Sequence, residues 1–141
     1  MNLVDLCADL GLPERAEQES TYMNALRLAL PRACPVKLFR QMPGFHEMKR
    51  GGAVHGAPKG AADLTGWIVA PHPMRGLRVE IECKYGAGRT RPEQRAWLSV
   101  CAADGVVALV LTCNPELTLV ANLHGAVDAV HAALRAREGG A

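Results

Sequence analysis

The chain has 141 residues, 49% of them apolar and 21% charged, with a formal net charge of +2. This size suits a single domain with a buried core and excludes a disordered tail. No apolar run approaches the roughly 18 residues of a membrane span, so no membrane partner is expected, and the first dozen residues lack a secretory signal's basic start and cleavage site. Arginine outnumbers lysine three to one, and Arg78, Arg89, Arg91 and Arg95 crowd one stretch. Their donor forks suit phosphate oxygens, although a solvated face would also account for them. Cys7, Cys34, Cys83, Cys101 and Cys113 are scattered with no Cys-x-x-Cys pair, which fits reduced thiols and a cytoplasmic location. The five histidines form no zinc-binding spacing.

Residues 13–30 read as a helix, with Pro13 in its first turn and Pro31 ending it. Tyr22, Met23, Leu26 and Leu30 make its apolar stripe, and Glu19, unlike Glu17, falls in phase with it. A carboxylate on the core side needs a partner, either a metal ion or an arginine. Residues 35–41 read as a first strand. A glycine-rich stretch from Met42 to Ala62 follows, holding Gly44, Gly51, Gly52, Gly56 and Gly60 among Lys49, Arg50 and Lys59. It is either a ligand-binding loop whose basic residues suit a polyanion, or a flexible hairpin.

Residues 63–70 read as a second strand and 77–84 as a third, joined by a turn from Pro71 to Gly76. The third alternates, with Leu77, Val79, Ile81 and Cys83 facing one way and Arg78, Glu80, Glu82 and Lys84 the other. Thr90-Arg91-Pro92-Glu93 fits a capping box and opens a helix to about residue 103, with Gln94, Trp97, Leu98 and Cys101 on its inner face. Val106–Thr112 is an unbroken apolar run, as in a strand buried on both sides. Residues 122–137 make a last amphipathic helix with Leu123, Val127, Val130 and Leu134 in phase, and the terminal Glu-Gly-Gly-Ala reads as frayed. The order helix, three strands, helix, strand, helix indicates an α/β domain over residues 1–141, built on one mixed sheet flanked by helices.

The chemistry is carried by Glu82 and Lys84, which leave one strand face side by side. Asp63 begins the neighbouring strand and can sit opposite Glu82 if the hairpin pairs. Two carboxylates and the Cys83 backbone carbonyl would form an oxygen cage for Mg²⁺ or Mn²⁺. Such an ion polarises a phosphate and activates a bound water. Lys84 would orient that water and counter charge on the phosphorane, and the cation would relieve repulsion between the carboxylates. Glu-x-Lys alone is a weak signal; the combination is far more selective.

Gly60-Ala-Ala-Asp63, Ile81-Glu82-Cys83-Lys84 and Gln94 resemble the PD-(D/E)XK nuclease superfamily, and within it the VRR-NUC branch of small stand-alone phage and bacterial proteins. Glu19, Asp63, Glu82-Cys83-Lys84 and Gln94-Arg95-Ala96-Trp97 occupy the branch's helix glutamate, post-turn aspartate, Glu-x-Lys strand and Gln-x-x-Trp helix, in that order. Lys59-Gly60 and Gly88-Arg89 add to the likeness, which runs from about Glu19 to Thr112. The residue before Asp63 is Ala62, where the superfamily's name has proline; that proline is not a ligand. The resemblance implies a restriction-endonuclease-like fold and metal-dependent cleavage of DNA, duplex or branched. It also implies a homodimer, Glu19 as a further metal-site candidate, and Gln94 ordering the active site. Arg89, Arg91 and Arg95 would then meet the phosphate backbone. A nucleotide-binding reading of Gly86-Ala87-Gly88 lacks the third glycine, since position 91 is arginine, and no Walker string exists. A catalytically silent nucleic-acid-binding module is the other alternative, though every metal and lysine position is filled.

Overall fold

The computed structural model describes residues 2–42 and 45–139, without the side chains of residues 45–47, 54 and 55. Gly44 of the glycine-rich stretch and the last two residues of the expected frayed end, Gly140 and Ala141, lie outside the described residues.

The chain opens with a short helix that the sequence reading did not include, α1 (Leu3–Asp9). Asn2 caps it, its side-chain oxygen accepting from Asp5 N at 2.8 Å. Leu3, Leu6 and Cys7 go inward from it. The next helix, α2 (Glu19–Ala33), starts six residues later than expected and contains Pro31. The proline forfeits only its own amide donor near the helix end. The helix runs on past it, with Cys34 N bonded to Leu30 O at 2.8 Å. Tyr22, Ala25, Leu26, Ala29 and Leu30 are its buried face.

Four strands form the main sheet in the order β1 (Val36–Arg40), β4 (Leu64–Ile68), β5 (Arg78–Tyr85), β6 (Val107–Cys113). The first two pairings are antiparallel and the β5–β6 pairing is parallel. The parallel step is made through α3 (Pro92–Ala103), as a parallel pair needs a long crossover. The glycine-rich stretch contains its own small hairpin, β2 (Phe45–Glu47) with β3 (Ala53–His55), a two-stranded sheet separate from the main one among the described residues. The last helix, α4 (Leu119–Gly139), is longer than expected at both ends and buries Leu119, Leu123, Ala126, Val130 and Leu134.

Helices α2 and α4 cover one face of the sheet, where Val36, Leu38, Leu64, Ile68, Val79, Ile81, Cys83, Val107 and Leu111 complete the core. Each large apolar side chain buried there contributes about 1.5–3 kcal/mol. The other face carries Asp63, Glu80, Glu82 and Lys84, and α3 packs over its β5–β6 side.

One expectation about burial is corrected: β6 is an edge strand that α3 covers only partly, so Val110 and Thr112 are exposed rather than buried. On β5 the residues from Val79 to Lys84 are all buried, with Gln94 of α3 set against Glu82 and Lys84. On α3 itself Gln94 and Cys101 are buried while Trp97 and Leu98 are half-buried. The capping residue also differs. Because Pro92 takes the first helical position, the N-cap is Arg91 and the third residue in is Gln94, so Thr90 does not cap.

Candidate active site

Strand register builds the site. Leu64 pairs with Ile81, and continuing that register sets Asp63 opposite Glu82. Asp63 is anchored from both sides. Its carbonyl accepts from Gln41 N at 2.8 Å, and its Oδ2 accepts from Cys83 N at 2.8 Å. In an extended strand the N–H and C=O of one residue point to the same edge. The Cys83 carbonyl therefore turns toward Asp63 as well.

Glu82, with 1% of its surface exposed, is far more confined than Asp63. Its Oε1 accepts from Gln94 Nε2 at 2.7 Å and lies 3.3 Å from Lys84 Nζ. Its Oε2 is buried with no partner among the described residues. Burial pushes the Glu82 carboxyl up to about 7, the neighbouring Asp63 charge adds to the rise, and Lys84 opposes it. Two carboxylates at hydrogen-bonding range must share something positive, a proton or a cation.

Gln94 organises the rest. Its Oε1 accepts from Lys84 Nζ at 3.0 Å and from Arg91 N at 2.8 Å while its amide nitrogen holds Glu82. One side chain thus fixes the amide orientation, caps α3 and positions both charged groups. Gly60 ties this helix to the Asp63 turn. Its φ is +89°, and a Cβ there would stand 2.4 Å from the Glu93 carbonyl oxygen. The loop leading to Asp63 therefore lies directly on the helix turn that carries Gln94.

Glu19 is the first residue of α2 and is exposed, as is Glu17, which lies outside the helix. Glu19 shares a cavity of about 270 Å³ with Arg40, Gln41 and Asp63, and its charge reaches Cys83, whose thiol is pushed up by burial first and then by Asp63, Glu82 and Glu19. It stands at the rim and does not join the carboxylate pair. Among the described residues no three His, Cys, Asp or Glu side chains converge as a ligand set. Two carboxylates, a backbone carbonyl and water do match the sparse protein ligation that Mg²⁺ accepts, and the unpartnered Glu82 Oε2 is an oxygen available for it.

The basic candidates fall into two groups. Arg89, Arg91, Arg95 and Lys59 are exposed around the N-terminus of α3. Arg91 Nε faces Glu93 Oε1 at 3.5 Å, and Arg95 Nη1 donates to Thr90 O at 2.6 Å. Lys49 and Arg50 are exposed at the tip of the β2–β3 hairpin, and nothing places them against the carboxylates.

Two members of the network escaped the sequence reading. Gln41 donates to both the Ala62 carbonyl at 2.9 Å and Glu80 Oε2 at 2.8 Å. Glu80 is fully buried, its Oε1 lying 2.5 Å from Arg78 Nη2. A guanidinium so close compensates the charge of that carboxylate. Alternation on β5 marked Glu80 as polar-facing; nothing in sequence linked it to Gln41, 39 positions away.

No family model, curated protein or solved structure matches this chain. Among the described residues no helix is long and apolar enough to cross a membrane.

Proposed function

We propose that this protein is a metal-dependent nuclease that hydrolyses phosphodiester bonds in DNA, of the PD-(D/E)XK type and its VRR-NUC branch. The observation that carries the reading is half-buried Asp63 beside buried Glu82, with Lys84 and Gln94 locked next to them. Setting aside α1 and the small hairpin, the elements run α2, β1, β4, β5, α3, β6, α4, which supports a restriction-endonuclease-like fold.

Asp63, Glu82 and the Cys83 carbonyl would hold Mg²⁺ or Mn²⁺, with Glu19 near enough to bind through water. Such an ion supplies Lewis acidity to the phosphate and a more acidic bound water. The chain's own contribution is placement. Cys83 N fixes the Asp63 carboxylate, and Gln94 fixes Glu82 and Lys84 together. Lys84 then has an ammonium donor to offer a phosphate oxygen as negative charge grows there. The arginines at the start of α3 lie where a phosphate backbone would approach that ammonium. The same reading takes two copies of the chain as the working unit. It also puts them in a reducing cytoplasm, which the five free, buried cysteines support.

The test is a panel of duplex, single-stranded, flap and four-way-junction DNA with Mg²⁺ or Mn²⁺, beside Glu82→Ala and a chelator control. Cleavage by the natural chain that both controls abolish is the expected result. Full cleavage by Glu82→Ala, or none by the natural chain on any substrate, would overturn the reading.

A further inference from the structure

Farther along the face that bears Asp63 and Glu82, the sheet turns aromatic. Phe39 pairs with Thr65, Lys37 with Trp67, and Trp67 with Arg78 in register. The Phe39 and Trp67 rings lie 5.4 Å apart, tilted by 43°, and remain 45% and 42% exposed. Lys37 Nζ stands 5.8 Å from the Trp67 ring centre on one side. On the other side Arg78, held to Thr65 Oγ1 at 3.3 Å and ion-paired with Glu80, borders the same open groove of about 510 Å³. Gly66 fixes the strands beneath, since a Cβ there would collide with the Lys37 carbonyl.

Two neighbouring aromatic rings left in solvent on a rigid strand pair do nothing for the core. Their faces and flanking cations match the requirements of a stacked base and its phosphate. Asp63 and Trp67 share one face four positions apart, about 13 Å at strand rise. That span is about four stacked nucleotide steps of one strand. We infer that Phe39 and Trp67 form a stacking platform for unpaired bases, so that the substrate carries a single-stranded segment beside the bond cut at Asp63 and Glu82. The cations on both sides favour a polyanion over an apolar protein partner. The inference rests on the nuclease reading for its substrate, yet it can fail separately.

The experiment measures binding of the full chain, in chelator so that nothing is cleaved, to oligothymidylate, a blunt duplex and the same duplex with a single-stranded tail. Trp67→Ala should weaken binding to oligothymidylate and to the tailed duplex about tenfold and leave the blunt duplex unchanged, while Trp67→Phe retains most of the affinity. Equal affinity changes on all three probes would overturn the platform. So would a Phe39→Ala/Trp67→Ala chain that loses self-association in sedimentation while tail binding stays intact, which would mark a protein interface. Tail-selective binding by a chain that cleaves nothing with Mg²⁺ or Mn²⁺ would sink the nuclease reading and leave the platform standing.

Discussion

Glu80 and Glu82 are two residues apart on one strand, face the same way and are equally buried, yet their surroundings differ. Glu80 is surrounded by compensation: the Arg78 guanidinium on Oε1 and the Gln41 amide on Oε2. Glu82 has Gln94 and Lys84 on one oxygen only, and its second oxygen is buried without a partner beside another carboxylate. Burial raises the pKa of both, but the charged neighbour of Glu80 is a cation that opposes the rise, whereas Asp63 reinforces it at Glu82. A fold that needed only a filled core would gain nothing from the second arrangement. On the proposed reading, the contrast separates a carboxylate paired into the sheet from one left short of partners for a reaction.

The sharpest way to break this contrast is to neutralise each in turn. Glu82→Gln should lose at least about a hundredfold in Mg²⁺-dependent DNA cleavage while remaining folded. Glu80→Gln should keep cleavage within a few-fold and lose about 1–2 kcal/mol of stability, because Arg78 loses its counter-charge. Gel assays and chemical denaturation of both variants decide it, and the reverse pattern would exchange the two roles. Lys84→Met should come next, with about a hundredfold loss of rate and metal affinity retained. A normal rate there would remove the ammonium from the chemistry.

Gly60→Ala probes the scaffold beneath Glu82 rather than the carboxylates. With φ at +89° and backbone 2.4 Å from the would-be Cβ, it should cost about 1–3 kcal/mol and lower cleavage by displacing Asp63 from Gln94. Unaltered melting and turnover would mean that the loop tolerates separation from α3.

The pH dependence sharpens the comparison at smaller scale. In the folded, metal-free chain Glu82 holds its proton to about 7, against an ordinary 4.5. Between those values the folded state binds more protons than the unfolded one. Stability should therefore fall as pH rises through that window, by on the order of 1–3 kcal/mol, and level off above it. Melts in chelator should show this slope in the natural chain and a flatter one in Glu82→Gln. Identical slopes would place the titrating group elsewhere. The smallest effect belongs to Arg91→Ala/Arg95→Ala, which should reduce the salt dependence of DNA binding by a slope of about one per lost phosphate contact. An unchanged slope would put these arginines off the DNA path.

How much of this was legible follows from the reach of each physical signal. Period-two alternation set Glu82 and Lys84 side by side, and a short turn between two strand-like runs was enough to set Asp63 opposite. Gln94 came from resemblance and from its phase on α3. Glu80 and Gln41 stayed hidden because their partnership crosses three strands, and alternation cannot tell a sealed polar face from a wet one. The frame of the α3 cap slipped by one residue because Pro92 can open a helix directly. Helix α1 was readable in principle from Asn2 and the inward phase of Leu3, Leu6 and Cys7. The start of α2 was misplaced because Pro13 and the acids after it mimic a helix entrance.

Titration calorimetry with Mn²⁺ on the natural chain, Glu80→Gln, Asp63→Asn and Glu82→Gln tests the shared-cation claim most directly. The natural chain and Glu80→Gln should bind the ion alike, and Asp63→Asn and Glu82→Gln should bind it at least about tenfold more weakly. Equal binding by all four, or none by any, would contradict it.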